Sequence, residues 1–407
     1  MRSSHPSAHP VRTWRRRMSV VMAWSSLLLL AAAATATQAE EPAPIEAHAV
    51  FTPQAVPGSD GFVHLAYELD VTNFYAGTGP LNLGLLEVFA NGASKPLASF
   101  SGAALAGLLG PGKALEADNS LPIEAGMHAV LFVWLTLPKT QPLPALLHHR
   151  LVFKTAKGQT QVATDVPVAV DSTRPVVIAA PLRSNAKAVQ WLVDEGPGHA
   201  QSHHWGSLVA ENGRLTIPQR HAIDFFGLDA KGHAITVPSD KLASSLPGDW
   251  TGFDAEVVAV ADGVVRNARD GVPDHRPLAP MEQPTEMTAE ALYGNFVILE
   301  IAPHVFVHYA HLRQGSLRVK TGERIKRGAP LARLGVSGSA GAPHLHFQVA
   351  SSAGFAPSQG LPFVFERFTL TGRGSEGDML DLSKDASLDH PVGMRGVMPL
   401  HGDLIGF

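Results

Sequence analysis

Residues 342–349, APHLHFQV, place two imidazoles two positions apart between apolar side chains. In an extended strand, residues i and i+2 share a face, so His344 and His346 project together while Leu345 and Phe347 point the opposite way. The alternation predicts a strand whose apolar back lies on a core and whose front carries both histidines. Two imidazoles on one front suit a metal site or an acid–base site. The Gly-rich run before it, GVSGSAGAPH (335–344), lacks the G-K-[ST] ending of a phosphate loop and leads into a strand, so it reads as a tight turn into the histidine strand.

Upstream of this strand the pattern stays β. EVVAVADGVVRNARD (256–270) reads as two short strands around an Asp-Gly turn, and YGNFVILEIAPHVFVHYAHL (293–312) as two longer ones. Turns at Gly322, Gly328 and Gly338 punctuate the chain between them and the histidine strand. Short strands at such intervals predict an antiparallel sheet with little helix. Between Arg269 and Tyr293 lies a Pro-rich insertion, DGVPDHRPLAPMEQPTEMTAEAL, expected to end in one helical turn started by Thr288. Connections of this length are commonly functional.

Residues from about 45 to 175 read as a separate β-sandwich of Ig-like type. In FVHLAYELDVTN (62–73), Val63, Leu65, Tyr67, Leu69 and Val71 alternate with His64, Glu68 and Asp70, the period-2 mark of a half-buried strand. LLEVFANG, HAVLFVWLTL, RLVFKT and QVATDVPVAV supply further strands between turn residues. No chemistry is evident here, and His148 and His149 read as exposed polar positions. The expected fold is therefore all-β: an N-terminal β-sandwich, then an antiparallel sheet domain over 185–365. A tail over 366–407 contributes one strand and an extended segment.

The chain has 407 residues, a formal charge of −4 and no cysteine. That charge offers no basic surface for a nucleic acid. The missing thiols exclude disulfides and thiol catalysis, and they restrict a metal site to His, Asp, Glu and water. Residues 1–39 read as a signal peptide: Arg12 and Arg15 to Arg17 are followed by MSVVMAWSSLLLLAAAATA and by the small-residue cleavage motif TQA. The expected location is periplasmic or extracellular, with no membrane contact after cleavage. An uncleaved anchor is the alternative, since the apolar run approaches the roughly 18 to 20 residues that cross a bilayer.

HYAHL (308–312), GERIKRGAPLARLGVSGSAGAPHLHF (322–347) and VVAVADGVV (257–265) together resemble the lysostaphin-type zinc metallopeptidases, endopeptidases that cut peptide cross-links of bacterial cell walls. The resemblance spans about residues 185 to 365. It implies one Zn2+ held by a His and an Asp of an H-x-x-x-D motif and by the second His of H-x-H, with two further histidines assisting catalysis. Carried onto this chain, it implies Asp224 and His346 as ligands and His311 and His344 as catalytic histidines. It also implies peptidoglycan peptides as substrate. Taken alone, His311 would read as a hydrogen-bonded core histidine, as His308 does.

One position departs from the family pattern. In PQRHAIDFFG (218–227) the residue four before Asp224 is Arg220, and a guanidinium cannot coordinate zinc. The third ligand is then expected from GPGHAQSHHWGSL (196–208), with His204 first and His203 next. His221 is a further alternative, which would need a bulge to turn inward. Arg220 itself could face a carboxylate of the substrate. Two other readings remain open at this point: a degenerate peptidase-like module in which Arg220 replaces the metal, binding cell wall or activating another hydrolase, and a peptidase acting on Gly-rich proteins.

Overall fold

Alternating apolar residues build two main cores in one compact unit, Glu40–Phe407. The structure, a computed structural model, describes residues 40–199, 201–280, 284–386 and 388–407. The signal-peptide reading of residues 1–39 lies outside the described residues. Among those described, no helix is long and apolar enough to cross a membrane.

The N-terminal half forms two sheets. In one, the strands Thr160–Ala169, Leu146–Thr155 and Leu81–Ala90 pair in that order; in the other, Phe62–Asn73 pairs with His128–Pro138 and Ile45–Ala49. Leu65, Tyr67, Leu69 and Leu131 of one sheet share a core with Leu83, Leu86, Leu151 and Phe153 of the other, the arrangement of a β-sandwich.

The expectation of a half-buried 62–73 strand requires correction. His64, Glu68 and Asp70, on the polar side, are also buried. That side is covered by the second half of the chain rather than by water. His149 is likewise buried: its Nδ1 lies 2.9 Å from the Val166 carbonyl, and its Nε2 accepts from the Tyr67 hydroxyl at 2.6 Å. A period-2 pattern shows which residues alternate and is silent on what covers the polar face.

The C-terminal half is organised on a ten-stranded antiparallel sheet. Its order runs Arg324–Ile325, Gly263–Arg269, Phe296–Ala302, Val305–Ala310, Leu345–Ala350, Ile223–Leu228, Gln190–Asp194, Asp403–Gly406, Phe368–Arg373 and Leu388–Met394. The histidine strand occupies the middle, between Val305–Ala310 and Ile223–Leu228. Leu345 and Phe347 enter the main core, as the alternation predicts. The tail contributes three strands rather than one, and Asp403–Gly406 pairs directly with Gln190–Asp194. The helical turn begins at Thr288, whose hydroxyl accepts from the Ala291 amide, as expected of an N-cap.

Candidate functional site

Register brings the two motifs together. Asp224 lies directly opposite His346 in the antiparallel pair, and Ala310 lies opposite His346 on its other side, which delivers His311 from the end of the neighbouring strand. His311 has φ of 60°, a left-handed conformation that histidine tolerates better than most residues.

A close approach of two glycines fixes its surroundings. Gly338 has φ of 74°, and a Cβ there would lie 2.3 Å from the Gly294 amide nitrogen. With both side chains absent, the Ser337 carbonyl can reach the His311 Nδ1 at 2.9 Å.

Asp224 Oδ1 is the focus of the site. Around it stand His346 Nδ1 at 3.0 Å, His344 Nε2 at 3.4 Å and His204 Nε2 at 3.5 Å. The opposite nitrogen of each ring is committed elsewhere: His346 Nε2 to Gln348 Oε1 at 2.9 Å, His344 Nδ1 to the Ala342 carbonyl at 2.7 Å, and His204 Nδ1 to the Glu195 carbonyl at 3.0 Å. For His204 and His346 the acceptor takes the ring's N–H and so selects the tautomer whose lone pair faces Asp224, whereas His344 holds a proton on Nε2 toward the carboxylate. Lone pairs aimed at a carboxylate repel one another unless a cation or a proton lies between them. The donor set therefore fits a metal. In a tetrahedral site with bonds of 2.0–2.1 Å, ligand atoms stand about 3.3 Å apart.

The electrostatics agree with such a cluster. Burial opposes ionisation of Asp224, yet His344 and His204 outweigh it and hold the carboxyl well below its usual range. Burial lowers His204 to about 3. It also drives His311 well down, with His344 and His346 adding to the effect. For His344 burial pulls downward, but the Asp224 charge dominates and raises it.

Of the candidates for the third ligand, His204 brings its Nε2 to 3.5 Å from Asp224 Oδ1. His203 belongs with His204 and Asp224 to a group whose donor atoms lie within 4.8 Å of one another. It is nevertheless exposed, and its Nδ1 pairs with Glu195 Oε2 at 3.1 Å. His346 Nδ1 lies 3.0 Å from Asp224 Oδ1 and is buried. His221 is a correction: it lies in a turn rather than a bulged strand, is absent from the lining of the cleft, and is held neutral to about 3 by burial and then by Arg220.

Arg220 also differs from both readings given to it. Its guanidinium neither enters the site nor faces a substrate. It is fully buried, donating from Nε and Nη2 to Glu68 at 2.7 and 2.6 Å. Charge at residue 220 therefore does not exclude a cation from the Asp224 cluster.

The cluster forms one wall of a cleft of about 590 Å3. Leu278, Met287 and Leu292 from the Pro-rich insertion line it, as do Asp194, Glu195 and Glu376. Burial, and then the Asp224 charge, push Asp194 up to about 7. Gln219, Gln348, Glu195 and Tyr293 belong to the site and carried no motif; only their neighbours in the sheet reveal them.

Residues 251–356 match the family model described as Peptidase family M23, so this segment of the chain is an M23 peptidase domain. The matched segment includes His311, His344 and His346 and stops short of Asp224 and the 199–204 histidines. Similar solved structures include the catalytic domain of lysostaphin from Staphylococcus simulans, with 20% identity, 37% of this chain and 80% of that chain covered, and a TM-score of 0.21. The catalytic domain of the prophage-encoded M23 protein EnpA from Enterococcus faecalis, in a mutant form, shows 14% identity over 45% of this chain and 93% of that one, with a TM-score of 0.24. A SpoIIIAH and SpoIIQ complex shows 16% identity over 43% and 92%, with a TM-score of 0.25. At these scores the likenesses add no weight to the family match. No curated protein matches the chain.

Proposed function

We propose that the protein is an exported zinc endopeptidase that hydrolyses peptide cross-links of bacterial peptidoglycan. The observation that carries the reading is the convergence of His204 Nε2, His344 Nε2 and His346 Nδ1 on Asp224 Oδ1, each ring held from behind by an acceptor. The M23 match over 251–356 and the signal-peptide-like sequence of residues 1–39 support it. Asp224, His346 and His204 would hold the metal. When bound, zinc supplies Lewis-acid polarisation and a water acidified to a pKa of roughly 7.

The remaining chemistry belongs to the chain. His311, with Nδ1 fixed on the Ser337 carbonyl and its pKa depressed, offers Nε2 as a base at neutral pH. His344, with Nδ1 fixed on the Ala342 carbonyl and its pKa raised, offers Nε2–H to a developing oxyanion or a leaving amine. Phe226 stacks on His344 with centroids 5.1 Å apart and restricts its ring plane. The insertion residues Leu278, Met287 and Leu292 narrow the cleft and would select the cross-bridge that enters.

The test measures zinc per chain by elemental analysis, alongside release of peptide ends from purified peptidoglycan. One zinc per chain and hydrolysis are expected, with both lost in His204→Ala. A chain that takes up no zinc from excess metal would overturn the reading.

A further inference from the structure

The sandwich and the peptidase half meet around a single carboxylate. Glu68 sits on the outer side of the Phe62–Asn73 strand with a fully buried side chain. Its Oε1 accepts from Trp205 Nε1 at 2.7 Å and from Arg220 Nε at 2.7 Å, while Oε2 accepts from Arg220 Nη2 at 2.6 Å.

Those two partners have special places in the chain. Trp205 follows His204, and Arg220 stands where an H-x-x-x-D motif ending at Asp224 would have its histidine. The Trp205 ring is inserted against Phe132 and Trp134 of the sandwich, with centroids 5.8 and 5.9 Å apart. Ala66 and Ile217 complete this apolar seam. Gln201 donates to the Leu109 carbonyl at 2.6 Å, and a Cβ on Gly206 would meet Pro111 at 2.5 Å. The sandwich thus grips the His204 loop on both flanks.

We infer that Glu68 is a positioning residue for the metal centre: it fastens the His204 loop and Arg220 to the sandwich, so that His204 supplies the ligand that residue 220 does not. The physical argument is one of order. A short Gly-rich loop has many conformations, and fixing one of its rings to ligand tolerance requires an anchor beside that ring. Trp205 is that anchor, and Glu68 is the group that orients it. The bidentate Arg220 pair holds the Glu68 carboxylate in place. The N-terminal half is then a working part of the metal centre. This inference rests on the reading of His204 as a ligand.

The experiment measures zinc affinity of the full chain by competition with a chromophoric chelator, with thermal unfolding recorded for each variant. Trp205→Phe removes the indole N–H and leaves the Glu68–Arg220 pair intact. The paired change Glu68→Met/Arg220→Met removes both charges together and so avoids an orphaned buried ion. Both are expected to remain folded and to bind zinc about 10 to 100 times more weakly. As a control, Ser59→Ala breaks the 2.5 Å bond from Ser59 Oγ to Asp403, another contact between the halves, and is expected to leave affinity unchanged. Parental affinity in either folded variant, with binding lost in His204→Ala, would overturn this inference alone. No zinc in the parent would overturn the ligand reading first and the inference with it.

Discussion

At the residue scale, one nitrogen of each imidazole decides what the other can do. His204, His311 and His344 give Nδ1 to a backbone carbonyl and keep Nε2 for the cleft, whereas His346 gives Nε2 to Gln348 and keeps Nδ1. Replacing His346 by Ala is expected to abolish both zinc binding and hydrolysis. Replacing His311 by Ala should keep the metal and lower turnover by about 10²–10⁴-fold, the usual worth of an acid–base group. Metal content and peptidoglycan turnover measured on the same preparations check this, and full activity in His311→Ala would remove the role assigned to it. Asp224, His311, His344 and His346 were legible because each lies in a short motif. Gln348 was hidden as an ordinary strand residue, since its task depends on reaching along the same face to His346.

At the scale of elements, the histidine strand is positioned by its two neighbours and by the glycine crossing at 294 and 338. The neighbouring backbones leave no room for a Cβ at Gly338, and its φ is left-handed. Gly338→Ala is therefore expected to destabilise the fold by about 1–3 kcal/mol or more and to lower turnover further than stability alone explains. Urea unfolding and activity of the surviving folded fraction separate the two effects, since moving Ser337 releases the His311 ring. The run 335–344 could be recognised as a turn from composition. The close approach to Gly294 could not, because it joins segments far apart in sequence. The tail failed for a related reason: Asp403–Gly406 is only a four-residue strand, and its partner Gln190–Asp194 lies about two hundred residues earlier.

For the whole molecule, burial of neutral histidines makes stability depend on pH. His149 and His308 are lowered to about 4 and His221 to about 3, in each case first by burial. In the unfolded chain these groups titrate near 6.5. A depressed histidine contributes stability that is fully present above about 6.5 and is lost as pH falls, because the unfolded state then binds protons the folded state refuses. Asp194, raised to about 7, acts in the opposite direction between about 7 and 4. Depressed histidines therefore leave a net loss of stability on going down from pH 6 to 5, which the raised Asp194 only partly offsets. Chelator-treated protein should show a urea midpoint that falls steadily over this range. A flat midpoint would contradict the burial of these rings.

The sequence by itself determined most of the strands, the all-β class and the apolar backing of the histidine strand, and through its family resemblance it pointed to four polar members of the cluster. The first three follow from period-2 alternation, and the last from motifs each a few residues long that match the family. Only the tertiary structure decided that His204 stands beside Asp224, that Arg220 turns away to Glu68, and that the polar side of the 62–73 strand is buried. The reason is physical. Alternation specifies faces locally, but which buried charge meets which partner depends on how two separately formed cores dock. Arg220 and Glu68 are 152 positions apart, and neither has a local pattern that names the other.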